Sequence, residues 1–335
     1  MRPLSGPDGG RPGGAAGPPA GSRAARSVAL DAARGAAILA MVVYHTAWDL
    51  SLLRLVDLEV VGHPLWDLFA RAIAGSFLFT AGLSLALAHG RGVRWRAFGR
   101  RLAVILAAAA AVTVATRLVF PDAYIFYGIL HAIALSSVVA LPFTRLPALA
   151  SAVAALAFAL VPLAPAPAVF DAPALAFLGL AGRPPLTNDF VPVFPWTGFV
   201  LAGVAAGRAG WSVPGRAAPP GRPTALVAAL GRRSLLIYLA HQPLIFGALA
   251  GLVWLVGPNK TAEERPFLRA CAASCTSSGQ PADLCRAACA CTVGEMRRLS
   301  LWKPAADGKL SAAQASEVSA LARLCLARSD ARQSP

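Results

Sequence analysis

Residues 30–53 read LDAARGAAILAMVVYHTAWDLSLL. As a helix rising 1.5 Å per residue, this segment exceeds the roughly 30 Å hydrocarbon core of a bilayer. In lipid it must be helical, because no water is present to satisfy its backbone. Four ionisable side chains nevertheless interrupt it: Asp31, Arg34, His45 and Asp49. Such groups cost about 2.5–3.5 kcal/mol each at the centre of a span, which makes them functional candidates by default. His45 lies near or just beyond mid-depth. Asp49 follows at i+4, on the same helix face and one turn nearer the far end. A carboxylate beside an imidazole fixes its tautomer and raises its basicity, as a general base requires. Asp31 and Arg34 form an i,i+3 pair at the near end, where they also neutralise one another.

Six further apolar runs follow, at 67–88, 102–119, 124–143, 148–164, 190–208 and 233–256. A shorter one, 172–181, reads as re-entrant or as part of a long loop. The 335-residue chain is 56% hydrophobic and only 14% charged. A soluble domain carries roughly 25% charged residues. The pattern therefore excludes both a soluble globular enzyme and a disordered chain. The expected fold class is all-α: a polytopic membrane helical bundle of about seven to nine spans. Residues 1–27, rich in Gly, Pro, Ala and Arg, are expected to be a disordered cytoplasmic terminus, followed by a membrane domain over 28–257.

Charge sets the orientation. Taken alternately, the gaps 1–27, 89–101, 144–147 and 208–233 hold 15 arginines, and the opposite set holds 3, namely Arg54, Arg117 and Arg183. The positive-inside rule then places the N-terminus in the cytoplasm, and seven spans place the tail 258–335 outside. The net charge of +15 is thus topological, and no nucleic-acid partner is expected.

The tail contains all six cysteines: Cys271, Cys275, Cys285, Cys289, Cys291 and Cys325. Their segregation fits export to an oxidising compartment. Each C-x3-C pair puts two sulfurs on one helix face, and residues 277–281 (SSGQP) form a turn between them. An antiparallel helical hairpin pairs Cys271 with Cys289 and Cys275 with Cys285, which leaves Cys291 with Cys325. Zinc is the weaker alternative, because ribbons more often use C-x2-C and no histidine lies in the tail. No metal site is expected.

Of the five histidines, His45, His131 and His241 fall within apolar runs, at depths that allow one shared cavity. The alternative is that each is separately hydrogen-bonded in the packing. His63 and His89 sit at span ends and read as solvated. Arg71, Arg117, Asp122, Asn188 and Asp189 fall at outer span ends, where a polar acceptor site would lie. The arginines of 91–101 and 208–233 stand where a cytoplasmic cofactor's phosphates would be held, although topology alone also accounts for them. No G-x-S-x-G, Walker, HExxH or G-x-G-x-x-G motif is present.

Several segments together resemble the bacterial heparan-α-glucosaminide N-acetyltransferase-like catalytic domain family. They are Leu30–Gly35 with Met41–Leu50, Gly75–Leu85, Tyr127–His131, Asn188–Pro192 with Phe194-Pro195-Trp196, and Gly231–Leu239 leading to His241-Gln242-Pro243. The resemblance covers about 28–256 and implies transmembrane acyl transfer. Acetyl-CoA would serve as donor on the cytoplasmic side. A hydroxyl or amine, usually on a sugar, would accept the group at the outer face. His45 matches the family's first-span histidine.

On this reading the catalytic set is His45, Asp49, His241 and His131. Arg71, Asn188, Asp189, Trp196, Tyr238 and Gln242 bind the acceptor, and Arg34, Arg232 and Arg233 bind the donor. The implied partners are membrane lipids and a glycan or glycolipid, with a homodimer left open. The implied location is the inner membrane. Two rival readings remain. One is a proton-coupled transporter using the same His and Asp residues, against which stands the lack of an internal repeat. The other is a scaffold whose exported tail binds a partner.

Overall fold

The computed structural model describes residues 28–210 and 221–333, so the expected disordered terminus 1–27 lies outside the described residues. The apolar part comprises α1 (Val28–Leu52), α2 (Pro64–His89), α3 (Trp95–Val119), α4 (Ile129–Ala140), α5 (Ala148–Leu160), α6 (Val193–Arg208), α7 (Arg222–Arg232) and α8 (Ser234–Val256). The tail comprises α9 (Lys260–Ser277), α10 (Ala282–Arg298), the short α11 (Trp302–Ala306) and α12 (Ala312–Gln333). The β structure among the described residues is one isolated bridge, Tyr127 to Phe190.

Four described helices, α1, α2, α3 and α8, are long and apolar enough to cross a membrane. The other apolar runs make shorter helices than their length suggests, and proline accounts for this. Pro142 follows the end of α4, Pro147 precedes α5, and Pro162 turns the end of α5 into a short 3-10 helix. Proline supplies no backbone N–H and pushes the preceding residue out of the helical region. Phe194, before Pro195, accordingly leaves helical φ/ψ inside the first turn of α6. The run 172–181 forms one 3-10 helix, Pro173–Leu178, just after another at Ala168–Asp171, and no long helix.

Helix sense follows from the contacts. Arg34 of α1 bonds Ser84, while Ile38 and Met41 pack with Ile73 and Tyr44 packs with Phe69, so α1 and α2 are antiparallel. A Cβ placed on Gly203 would overlap the Phe79 backbone and one on Gly207 would crowd Ala86, so α2 and α6 run in parallel, and the Gly82 contact with the Val200 backbone shows how closely they approach. Small residues permit such approach where no hydrophobic effect drives helices together.

The segment 221–233, read as part of a cytoplasmic loop, instead folds back as α7. Gly35 meets the Val227 carbonyl and Gly231 meets the Asp31 carbonyl, so α7 runs antiparallel along the first turns of α1. At Arg233 the chain turns, and α8 proceeds in the same sense as α1: Ile237 and Tyr238 pack beside Ile38 and Met41, and His241 lies beside His45. One flank of α1 is thus covered by α7 at its start and by α8 towards its end.

The tail carries the three expected disulfides, Cys271–Cys289, Cys275–Cys285 and Cys291–Cys325. Its small core gathers Val293, Met296, Leu301 and Trp302.

Candidate active site

His45 and His241 face one another with ring centroids 4.9 Å apart. His45 is 17 residues into α1, about 25 Å from its start and about 10 Å from its end. In α8 the ladder is interrupted around His241, because Pro243 cannot donate to the Leu239 carbonyl. Nδ1 of His241 lies 2.7 Å from the Tyr238 carbonyl oxygen. A carbonyl only accepts, so Nδ1 carries the proton and Nε2 is left with a free lone pair. That Nε2 is buried and has no partner among the described residues.

Asp49 is fully buried, and its Oδ1 accepts a hydrogen bond from Gln242 Nε2 at 2.8 Å. This differs from the arrangement expected from the i,i+4 spacing. The carboxylate is engaged by the amide of the neighbouring helix, and it is His241 whose tautomer is fixed, by a backbone carbonyl. Asp49 Oδ2, Gln242 Oε1 and His45 Nδ1 are also buried without partners. A buried unmet polar atom costs on the order of 1–3 kcal/mol. Four such atoms among the described residues fall in one small cluster, His45 Nδ1, Asp49 Oδ2, His241 Nε2 and Gln242 Oε1.

An aromatic wall adjoins the pair, unforeseen from the sequence. Tyr44 meets the His45 ring edge-on at 5.5 Å and lies 6.1 Å from Trp66 and 6.4 Å from Phe69. Tyr44 stands in the quoted motif, but only the α2 register shows what it touches.

The remaining expected residues sort by position. Tyr238 packs at 5.9 Å from His241 and joins the site. His131 does not. Its Nδ1 accepts the Gly128 N–H at 3.3 Å, capping α4, and its Nε2 lies 3.4 Å from the Thr113 hydroxyl. Asp189 accepts the Ile129 N–H at 2.9 Å, and burial pushes its carboxyl up to about 6. It is also within electrostatic reach of Tyr44 and Tyr238. Asn188 is exposed, with its N–H on the Ala123 carbonyl. Trp196 stacks on Phe199 at 5.5 Å, and Arg71 is exposed on α2. Arg117 lies over the Tyr124 ring at 4.6 Å, and Asp122 is exposed.

Arg34 bonds Ser84 and lies 3.8 Å from Asp31, while Arg232 and Arg233 are exposed at the α7–α8 turn near Asp31. His63 and His89 are not merely solvated. His63 caps α2 through Leu65 N–H, and the buried His89 accepts Arg94 N–H. Tyr127 OH is a further buried atom without a partner among the described residues.

Residues 26–243 match the family profile described as heparan-alpha-glucosaminide N-acetyltransferase, catalytic. That is about two thirds of the chain. The chain belongs to this N-acetyltransferase family. No curated protein and no solved structure matches it. The family region begins just before α1 and ends just after Gln242, so the His45–Asp49 and His241–Gln242 pairs stand near its two ends. Membership makes this a membrane-embedded, transferase-type catalytic domain. The tail from α9 onward lies outside the matched region.

Proposed function

We propose that this N-acetyltransferase family member moves an acetyl group from cytoplasmic acetyl-CoA to a sugar hydroxyl or amine on the outer face of an inner membrane. The observation that carries the proposal is the paired imidazoles, His45 and His241, with unfilled buried polar atoms around them. His241 Nε2 is oriented to accept a proton, because its Nδ1–H is held by the Tyr238 carbonyl. As the acceptor's oxygen or nitrogen attacks the thioester carbonyl, its proton passes to Nε2. The C–S bond then breaks, and the departing thiolate takes that proton to become a thiol. The Gln242 amide is donated to Asp49 and stands beside the reacting atoms, where its second hydrogen can meet the developing oxyanion. In the two-step variant, a ring nitrogen of the pair attacks first, and the acetyl-imidazole then passes its acyl group to the acceptor.

Arg232, Arg233 and Arg34 are assigned to the donor's phosphates. Arg233 lies eight residues before His241, about 12 Å along α8, so a donor's phosphates and its acyl end would be separated along this helix. The acceptor side is assigned to the far end of α1, with Gln242, Asp189, Arg71, Asn188 and Trp196 as its binding residues and Tyr238 packed beside His241. The orientation, with the N-terminus cytoplasmic and the tail outside, rests on the arginine distribution and the tail's disulfides.

The test uses sealed vesicles with labelled acetyl-CoA on the cytoplasmic face and a glycan extract on the other. Label should reach the glycan with the parent protein and fail to do so with His45→Ala. Histidine-dependent proton or solute flux without label transfer would establish the transporter instead. Protein-bound label after acid quench distinguishes the two-step variant from direct transfer.

A further inference from the structure

α8 carries His241, yet His241 is its only buried residue. Leu236, Leu244, Leu252, Trp254 and Leu255 are all exposed along it. Its first half packs through Leu235, Ile237, Tyr238 and Leu239, but beyond His241 little interdigitates, so the outer half depends on a few fastenings. One is Gln242 to Asp49. A ring contact joins Phe246 to Phe120 at 5.7 Å. A third fastening lies beyond the C-terminal end of α8 and belongs to the tail.

There the Asn259 N–H donates to the Arg54 carbonyl at 2.8 Å, two residues past the end of α1. Arg54 holds a left-handed backbone, φ +54°, which non-glycine residues rarely adopt without surrounding support. The Asn259 side chain caps α9 through the N–H groups of Thr261 and Ala262, and Arg54 Nη1 reaches the Glu263 carbonyl at 3.5 Å. Farther along α9, Arg265 pairs with Asp57 and Arg269 with Glu59, both acids on the α1–α2 connection. Two disulfides fasten α9 to α10, and the Glu263 carboxylate accepts from Trp302 Nε1 at 2.8 Å and Arg297 Nη2 at 3.3 Å. The end of α1 is thereby linked to the whole disulfide-bonded module.

We infer that the tail is a positioning clamp for the two-histidine site. By docking α9 on the α1–α2 connection, it fixes the outer end of α8 against α1 and so holds the His45–His241 separation. The inference rests on the proposal that this pair is the reactive centre. Asp57, Glu59, Arg265 and Arg269 are positioning residues and touch no reacting atom. Exposed ion pairs are individually weak. Several on one helix face act together, and a displacement of about 1 Å at a reacting centre can cost on the order of 100-fold in rate.

The experiment is charge reversal and restoration in the full chain, using the vesicle assay. Asp57→Arg with Glu59→Arg should lower kcat about tenfold or more, with KM for donor and acceptor unchanged. Adding Arg265→Asp and Arg269→Glu should restore most of the rate, as a general loss of fold would not. The milder Arg265→Gln with Arg269→Gln serves if the reversed chain fails to accumulate, and should also lower kcat. Protease accessibility of α9 reports whether docking was lost. Parental kcat with α9 demonstrably released would overturn the clamp while leaving the transferase proposal intact. A parent that transfers no acetyl group under any condition would overturn the transferase proposal itself, and the clamp with it.

Discussion

Gln242 of α8 donates its amide to Asp49 of α1 at 2.8 Å, one turn beyond the facing rings of His45 and His241. The bond joins the two ends of the family region, about 190 residues apart in sequence, next to the proposed chemistry. Asp49 is fully buried and Gln242 half-buried, so removing either leaves the other without its partner in a largely dry place. Asp49→Ala and Gln242→Ala should each lower stability by about 1–3 kcal/mol. The double variant should cost little more than one single, with a coupling of about 0.5–3 kcal/mol. Thermal unfolding of the four proteins in one detergent measures it, and strict additivity would mean that the bond contributes nothing.

The histidines should separate by role. His241→Gln should lower the transfer rate about 10²–10⁴-fold, the range for a lost general base, with little change in Tm. His131→Gln should do the reverse. It keeps most of the rate and lowers stability by about 1 kcal/mol, the usual effect of a lost helix cap. Paired rate and unfolding measurements decide, and a large rate loss at His131 would place it in the chemistry after all.

Gly231 sits against the Asp31 carbonyl where α7 crosses α1. Gly231→Leu would force the two helices apart, at a cost of roughly 1–3 kcal/mol for overpacking. The α7–α8 turn would move with it. A lowered Tm together with a raised KM for acetyl-CoA is the expected pair of outcomes, since Arg232 and Arg233 stand at that turn. An unchanged KM would detach those arginines from the donor.

Asp189 gives a pH signature. Burial holds its carboxyl up at about 6, while the Ile129 N–H pulls the other way. An unfolded aspartate titrates near pH 3.9. The folded state therefore binds this proton more tightly, and the group's contribution to stability falls as pH rises between about 4 and 6, then stays level. Asp189→Asn keeps an acceptor for Ile129 but cannot ionise. The Tm difference between variant and parent should shift in the variant's favour across that window and be flat above it. A difference that stays constant from about pH 4 to 7 would show that the carboxyl titrates normally.

The disulfides should contribute unequally. Cys291–Cys325 closes a separation of 34 residues and Cys275–Cys285 one of 10. Chain entropy alone makes removal of the longer closure about 1 kcal/mol more costly. Paired Cys→Ala variants, read by hydrogen exchange in α10 and α12, should show the larger loss for the 291/325 pair.

The parts legible in the sequence were those that depend on spacing within a single helix or hairpin. Cys271, Cys275, Cys285 and Cys289 lie at intervals that only one antiparallel pairing satisfies with both turns aligned, and those bonds form. The apolar runs marked α1, α2, α3 and α8 by length alone. Contacts between helices were less legible. Nothing local distinguishes the Asp49 carboxylate bonding His45, its own neighbour at i+4, from its bonding Gln242, on a helix 193 residues away. His131 looked like His241, since each is a lone imidazole in an apolar run. What separates them is that His131 finds Gly128 N–H and Thr113 within reach. The fold-back of α7 went unseen because its sequence, RPTALVAALGR, is too polar to be a span and too short to stand alone.

The family match stops at residue 243, inside α8, although the helix runs on to Val256. A fragment cut at that boundary would end two residues beyond His241, at Pro243, with the outer half of the helix missing and no Asn259 to reach Arg54. The matched region therefore stops short of the end of the helix that carries His241 and of the tail contact beyond it. Grafting residues 26–243 onto another protein would carry both imidazoles and the Gln242–Asp49 bond but leave behind the Asn259–Arg54 contact proposed to hold the outer end of α8.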